Sequence, residues 1–419
     1  MLLKNVLSGR KAPSSIVSNT GFETLEGRSL FSAPAIDLPQ VALVHGCSAP
    51  AQSQTPAVRV ARPLLHAASR RTVSRPATIH NSSSPAGFFP IAVWLQPTYL
   101  MDQWKAAGVN TLFGYESEGG SVSLAQWNSA AVSKGLYTIR TPGKNAAADR
   151  ADPYLLAYML DDEPDLKNVK VNTLQAQYNA LKQLNPNIPV VVNYAGGAVL
   201  HWQANVTSKT YTGYLKATDW VSSDIYPVTG WGLPDRIDAP GKAVTTLMRA
   251  SGGKPQFAFI ETSNQNLSWV PNDKGVTGGQ FSAELWTAIN HGAKGITYFP
   301  QQIGGFSYDA TPADVLAAMK TQNARITALG GPLSSDYDPA TQGMSLTGNL
   351  QGSWRNFGGK SYFIVTNPTD QTLNAGGHLY GIPRGTPSAT VNGESRSIPL
   401  SNGVFTDSFA PYETHIYVV

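Results

Sequence analysis

The sequence predicts a (β/α)8 barrel followed by a small β-sandwich, an α/β fold with an all-β appendix. Three features of the 419 residues carry this reading. Apolar strand-like runs alternate with helical patterns from Gly87 to Gly331, the mark of βαβ units and a parallel sheet. Eight such runs fall within about 245 residues, close to the roughly 250 of a typical barrel. Beyond Gly331 the helical patterns stop and period-two alternation takes over.

The elements follow in order. The first strand is Phe88 to Leu95, and its helix, Tyr99 to Ala107, ends at Gly108. The second strand is Val109 to Tyr115, with a helix from about Leu124 to Lys134 closed by Gly135. The third strand is Leu136 to Arg140 and the fourth Leu155 to Leu160. The fourth helix, about Thr173 to Leu184, stops at Asn185-Pro186, because the residue before proline disfavours the helical region. Val190 to Asn193 and Trp220 to Ile225 give the fifth and sixth strands. A helix from about Lys242 breaks at Gly252-Gly253, before the seventh strand, Gln256 to Ile260. A helix over about Gln280 to His291 leads to the eighth strand, Gly295 to Phe299, and a last helix, about Pro312 to Leu329, stops at Gly330-Gly331-Pro332. The connections Thr141 to Tyr154 and Ala195 to Asp219 show no strong helix. A doubly wound open sheet is the alternative. It would bring a glycine-rich phosphate loop after the first strand, where this chain has Gln96-Pro97-Thr98.

The sandwich is read from Ser361 to Thr366 with the turn Asn367-Pro368-Thr369-Asp370, from Thr390-Val391 with Asn392-Gly393, and from Thr414 to Val419. The expected division is 1–85 as a disordered leader, 86–332 as the catalytic barrel and 333–419 as the sandwich. Residues 1–85 are rich in Ser, Ala, Pro and Arg and have no sustained periodicity, so they bury too little surface to offset ordering entropy. They carry nine Lys/Arg against three Asp/Glu, which leaves 22 against 24 over the remainder. The folded part is thus near neutral and has no basic footprint for nucleic acid. No stretch reaches the roughly 18–20 apolar residues of a membrane helix. The single cysteine, Cys47, closes no intramolecular disulfide.

Phe22 to Ala33 reads FETLEGRSLFSA. It resembles the LEPR-type sorting motif near the N-termini of exported bacterial proteins, with Gly27 in place of the usual proline and Phe31 in place of a leucine. The resemblance implies a secreted or cell-surface protein.

In a (β/α)8 barrel the chemistry sits at the C-terminal ends of the strands. There the fourth strand delivers Asp161-Asp162-Glu163-Pro164-Asp165, and the seventh delivers Glu261-Thr262-Ser263-Asn264. The sixth delivers Asp224-Ile225-Tyr226-Pro227, the fifth Asn193-Tyr194, the third Arg140, the first Trp94 and Gln96, and the eighth Tyr298, Pro300 and Gln301. Two glutamates on opposite strands suit cleavage of a glycosidic bond, which needs one carboxyl to protonate the leaving oxygen and another to attack or to activate water. Other chemistries lack their residues. The barrel's histidines, His201 and His291, make no zinc spacing with Cys or Asp, and no G-x-S-x-G elbow, P-loop or dinucleotide fingerprint occurs. The Asp161, Asp162, Glu163, Asp165 group could attract a hard cation, but neighbours on a strand point to opposite faces, so no metal is expected.

YMLDDEPD around Glu163, FAFIETSN around Glu261 and WTAINHGAKGITYF from Trp286 to Phe299 together resemble the clan of retaining glycoside hydrolases with (β/α)8 barrels. The resemblance spans about residues 87–419. It implies Glu163 as acid/base and Glu261 as nucleophile, a poly- or oligosaccharide substrate and no cofactor. Asp162 stands where the clan usually has asparagine; aspartate accepts from a sugar hydroxyl but cannot donate to it. Tyr226 is expected to hold the nucleophile, and Asn193 and Arg140 to contact the ligand. Trp231 and Trp269, in Gly/Pro-rich loops, are candidate stacking faces, and Tyr298 or Phe299 stands in for the tryptophan platform of the eighth strand. Two rivals share these residues: a glycosidase using Asp224 as second carboxylate, and a non-catalytic carbohydrate-binding protein on a decayed barrel.

Overall fold

The structure is a computed structural model, and it describes residues 87–195, 208–263, 275–302, 305–335 and 343–419. The leader with its sorting motif, together with His201, Asn264 and Trp269, lies outside the described residues.

Eight parallel strands close into a barrel in sequence order, β8 pairing back onto β1. They are β1 Ile91–Trp94, β2 Thr111–Phe113, β3 Tyr137–Arg140, β4 Leu155–Asp162, β5 Val190–Ala195, β6 Trp220–Asp224, β7 Gln256–Glu261 and β8 Ala293–Phe299. Around them run α1 Met101–Ala106, α2 Leu124–Ser133, α3 Ala146–Ala151, α4 Val171–Leu184, α5 Ser208–Tyr214, α6 Ala239–Ala250, α7 Gly278–Asn290, α8 Ala313–Ala328 and the single turn α9 Gly330–Ser334. The expected closed barrel is therefore present, and the doubly wound alternative is excluded.

Two short helices fill the connections that looked empty. In α3 the Asn145 side chain caps the start by accepting from the backbone N–H of Ala147 and Ala148; this six-residue turn is too brief to show periodicity. Seven-residue α5 is equally short. Capping boxes start α2 (Ser123 with Gln126) and α7 (Thr277 with Gln280), each satisfying two otherwise orphaned N–H groups.

The barrel interior is aromatic. Trp94, Phe113, Phe257, Phe259 and Phe299 are buried there, and Trp94 meets Phe113 and Phe259 edge-to-face. Strand alternation sends Ala258 and Ile260 outward to the helices. Gly295 makes room for this filling, since a Cβ there would stand 2.3 Å from the Phe257 ring.

After the barrel come a short hairpin, β9 Gln301–Gln302 with β10 Gly305–Phe306, and then β11 Met344–Leu346, β12 Gln351–Phe357, β13 Lys360–Thr366, β14 Leu373–Leu379, β15 Ser388–Val391, β16 Ser397–Pro399, β17 Val404–Phe409 and β18 Thr414–Val418. They form a three-stranded sheet, β11-β14-β17, and a five-stranded sheet, β12-β13-β18-β15-β16. Leu379, Phe405 and Phe409 of the first and Phe363, Val391 and Tyr417 of the second share one core. The sandwich meets the end of α7 through a buried polar seam. Asn290 donates to Thr366 Oγ1 (3.0 Å) and accepts from Ser353 Oγ (2.9 Å), while Arg355 donates to the Ile289 carbonyl (2.8 Å). No helix among the described residues is long and apolar enough to cross a membrane.

Candidate active site

The site grows from the end of β4. Pairing with β5 slips between Met159 and Asp162, and the strand ends in a left-handed residue, Glu163 at φ 47°. For a side chain other than glycine this conformation costs about 1–3 kcal/mol, so surrounding contacts must enforce it. Here the Glu163 N–H donates to the Asn193 carbonyl at 2.9 Å, and the Glu163 carbonyl accepts from Lys167 at 3.0 Å. The glutamate is thereby fixed at the barrel mouth with 6% of its surface exposed.

Its carboxyl group lies within hydrogen-bond reach of Asp224 at the end of β6. Burial pushes the Asp224 carboxyl well up, and the charges of Glu163 and Asp162, with the hydrogen bond to Glu163, push it further. Two carboxylates at such distance cannot both ionise cheaply, so ionisation of Asp224 is disfavoured beside Glu163. Tyr226 belongs to the same group. Burial raises its phenol strongly, followed by the charges of Asp224, Glu163, Asp162 and Glu261. One hydroxyl thus feels four acidic side chains from β4, β6 and β7. The Tyr226 ring stacks on Phe299 at 4.4 Å and 15°. Its hydroxyl is buried with no hydrogen-bond partner, as is Asn193 Oδ1. Asn193 uses its amide to donate to Asp162 Oδ1 at 3.0 Å.

Glu261 ends β7 in inward register with Phe299. It is 1% exposed. One oxygen accepts from the Val228 N–H (2.8 Å), and the other from the Thr229 N–H (2.6 Å) and the Thr229 hydroxyl. The fourth neighbour is Glu284 of α7, also hydrogen-bonded to it. Burial raises the Glu261 carboxyl, and these four donors pull the other way. Behind the rim, Asp165 accepts from Tyr211 Oη and from Ala195 N (3.1 Å), yet burial still pushes it up to about 6.

The structure therefore brings Glu163, Asp162, Asn193, Asp224, Tyr226 and Glu261 to one rim. It turns two expected ligand contacts away. Arg140 faces α3: its Nη2 meets Asp149 at 2.8 Å and Asp152 at 3.4 Å, Nε donates to Asn128 at 2.8 Å, and Nη1 to the Thr141 carbonyl at 3.1 Å. The guanidinium is spent on the barrel wall. Tyr298 takes the outward register of β8 and donates to Asn323 of α8, beneath the helices; the inward position belongs to Phe299. Trp231 is half-buried and packs against the apolar cluster that contains Val221 and Ile225. Sequence reading missed Glu284 and Thr229, and placed Asp165 only in the acidic group after the fourth strand. Of the two missed, only Glu284 left a signal, as a lone acid within the apolar run FSAELWTAI.

Residues 167–328 match the glycoside hydrolase 42 family, described as beta-galactosidase. The match covers less than half of the chain, starting just beyond Glu163 and including Glu261. No curated protein matches. Solved structures to which the chain is similar include AmyP in complex with maltose (9% identity, 77% of this chain and 88% of that one, TM-score 0.49). They also include the maltogenic alpha-amylase AmyB from Thermotoga neapolitana (9% identity, 79% and 98%, TM-score 0.49). A third is AbfB, a family 51 alpha-L-arabinofuranosidase from Bifidobacterium longum (11% identity, 82% and 96%, TM-score 0.45). With the family match seated on a closed eight-stranded barrel, the chain is a glycoside hydrolase.

Proposed function

We propose that the chain cleaves O-glycosidic bonds of a poly- or oligosaccharide by retaining double displacement, with Glu163 as acid/base and Glu261 as nucleophile. The observation that carries it is the carboxyl group of Glu163 at the barrel mouth, within hydrogen-bond reach of the Asp224 carboxyl and on one rim with Glu261. Because the two neighbouring carboxyls resist losing both protons, a proton on Glu163 is retained more readily and can pass to the leaving oxygen. Once the leaving group departs, the same carboxylate takes a proton from water. Glu261 sits across the mouth on the inward register of β7, with donors that favour its anionic form. The unpartnered Tyr226 hydroxyl and Asn193 Oδ1 suit sugar hydroxyls, and Phe299 with Tyr226 provides an aromatic floor. The mechanism calls for no cofactor. Export to the cell surface or medium is part of this reading and rests on the Phe22–Ala33 motif alone.

A second reading has its own support. A carboxylate has about four lone-pair positions, and Glu261 accepts from four donors, whereas Asp224 touches Glu163 and has one carboxyl oxygen without a donor. Here Asp224 is the second carboxylate. Turnover of an aryl glycoside panel by E261A and by D224N separates the two. Loss of at least 100-fold in E261A, with azide restoring product of opposite anomeric configuration, supports Glu261. Full activity in E261A with loss in D224N transfers the role to Asp224.

A further inference from the structure

We propose that Glu284 is a positioning residue for the reaction: a permanently protonated acid whose O–H donates to Glu261 and fixes that carboxylate in place. The inference rests on the reading of Glu261 as nucleophile and deepens it.

Glu284 lies in the middle of α7 with none of its surface exposed. Neither carboxyl oxygen meets an N–H or O–H donor. An ionised carboxylate without donors in such a place is prohibitively costly, so the group must be neutral. A neutral carboxyl carries one donor, which needs an acceptor, and the hydrogen-bond neighbour is Glu261. Glu261 in turn already holds two backbone N–H groups and the Thr229 hydroxyl, all donors. The two glutamates therefore divide the roles: Glu261 carries the charge and Glu284 carries the proton. Burial and then the charge of Glu261 push the Glu284 carboxyl well above its ordinary value of 4.5. Among the described residues, the other titratable groups near the pair are Tyr226, which feels the charge of Glu261, and Tyr412 of the sandwich, which packs against the cluster containing Val228 and Ala283.

The arrangement ties helix to strand to loop. α7 supplies Glu284, β7 supplies Glu261, and Val228 and Thr229 follow β6. When Glu261 bonds to the anomeric carbon it loses its charge, and the Glu284 hydrogen bond weakens. When the ester is hydrolysed the charge and the bond return. Glu284 thus need not exchange its proton during the cycle.

The linkage has a sign. For an acid raised in the folded state, the stabilisation is fully present below about 4.5 and is lost as pH rises toward the folded value. Glutamine at 284 keeps an N–H donor and removes the titration.

The test compares wild type, E284Q, E284L and E261Q by thermal melting from pH 4.5 to 9.5 and by pH–kcat profiles on an aryl glycoside. The expected result is that E284Q keeps kcat within about threefold, melts above wild type at neutral pH by a margin that grows with pH, and extends the alkaline limb of kcat. E284L should lose at least tenfold in kcat with little change in KM. Parallel melting curves for wild type and E284Q across the range would overturn the proton assignment. An unchanged kcat profile in a folded E284L would overturn the positioning role. E261Q reports separately on the nucleophile: if it turns over like wild type, the reading of Glu261 fails, while the melting curves still decide whether Glu284 carries the proton.

Discussion

Replacing Arg140 by methionine separates a structural arginine from a ligand-binding one. Arg140 is 3% exposed and Asp149 4%, with 2.8 Å between Nη2 and Oδ1. Removing one partner of a buried ion pair costs about 3–5 kcal/mol, because the other charge stays buried. Asp149 keeps the Gly143 N–H (2.7 Å) and the Tyr158 hydroxyl (3.0 Å), which places the cost near the lower end, about 3 kcal/mol. For a chain of this size that corresponds to a melting temperature roughly 6 °C lower, at about 2 °C per kcal/mol. Differential scanning fluorimetry and urea unfolding measure it, with kinetics on the folded fraction. The double variant R140M/D149L should recover part of the loss, since it removes the more buried of the two carboxylates and leaves Asp152, which keeps the Asn128 amide at 2.8 Å. A folded R140M that melts like wild type but shows KM raised tenfold or more would refute the structural assignment and return Arg140 to the ligand.

E163Q should lower kcat on a poor leaving group by about 10²- to 10⁴-fold, the usual weight of general acid catalysis. An activated aryl glycoside, which needs no proton, should be cleaved to its first intermediate nearly as fast as by wild type. D165N removes a carboxyl raised to about 6 from its ordinary 3.8. The wild-type stabilisation from that group is complete below about 3.8 and lost as pH rises through about 6. D165N should therefore flatten the stability curve between pH 4 and 6, as followed by urea midpoints. G295A forces a Cβ against the Phe257 ring in the barrel interior and should cost about 1–3 kcal/mol, the usual penalty of overpacking, visible as a lowered melting temperature. G295A with F257L should regain part of it.

The fold was legible because each strand–helix unit announces itself. Apolar runs such as Phe257 to Ile260 are bounded by Gly252-Gly253 and by polar rim residues, and helices end at glycine or before proline. The short α3 and α5 escaped because one or two turns show no period. The rim was legible in outline, since position after a strand decides which side chains reach the mouth: Glu163, Asn193, Tyr226 and Glu261 were all found that way. Orientation was not legible. Arg140 and Tyr298 also close strands, but one is claimed by carboxylates that α3 brings alongside and the other sits on the outward register. Nor could the sequence show that Asp224 and Glu284, 61 and 23 positions from Glu163 and Glu261, would each lie within hydrogen-bond reach of one of them. Such pairing arises only when strands and helices bring the partners together in low dielectric.

The most direct test of the central claim is covalent trapping with a panel of 2-deoxy-2-fluoro glycosyl fluorides, read by intact mass and then by peptide mapping. The account predicts a single glycosyl adduct, mapped to Glu261, and products that keep their anomeric configuration. An adduct on Asp224, or hydrolysis with inversion and no adduct, would contradict it.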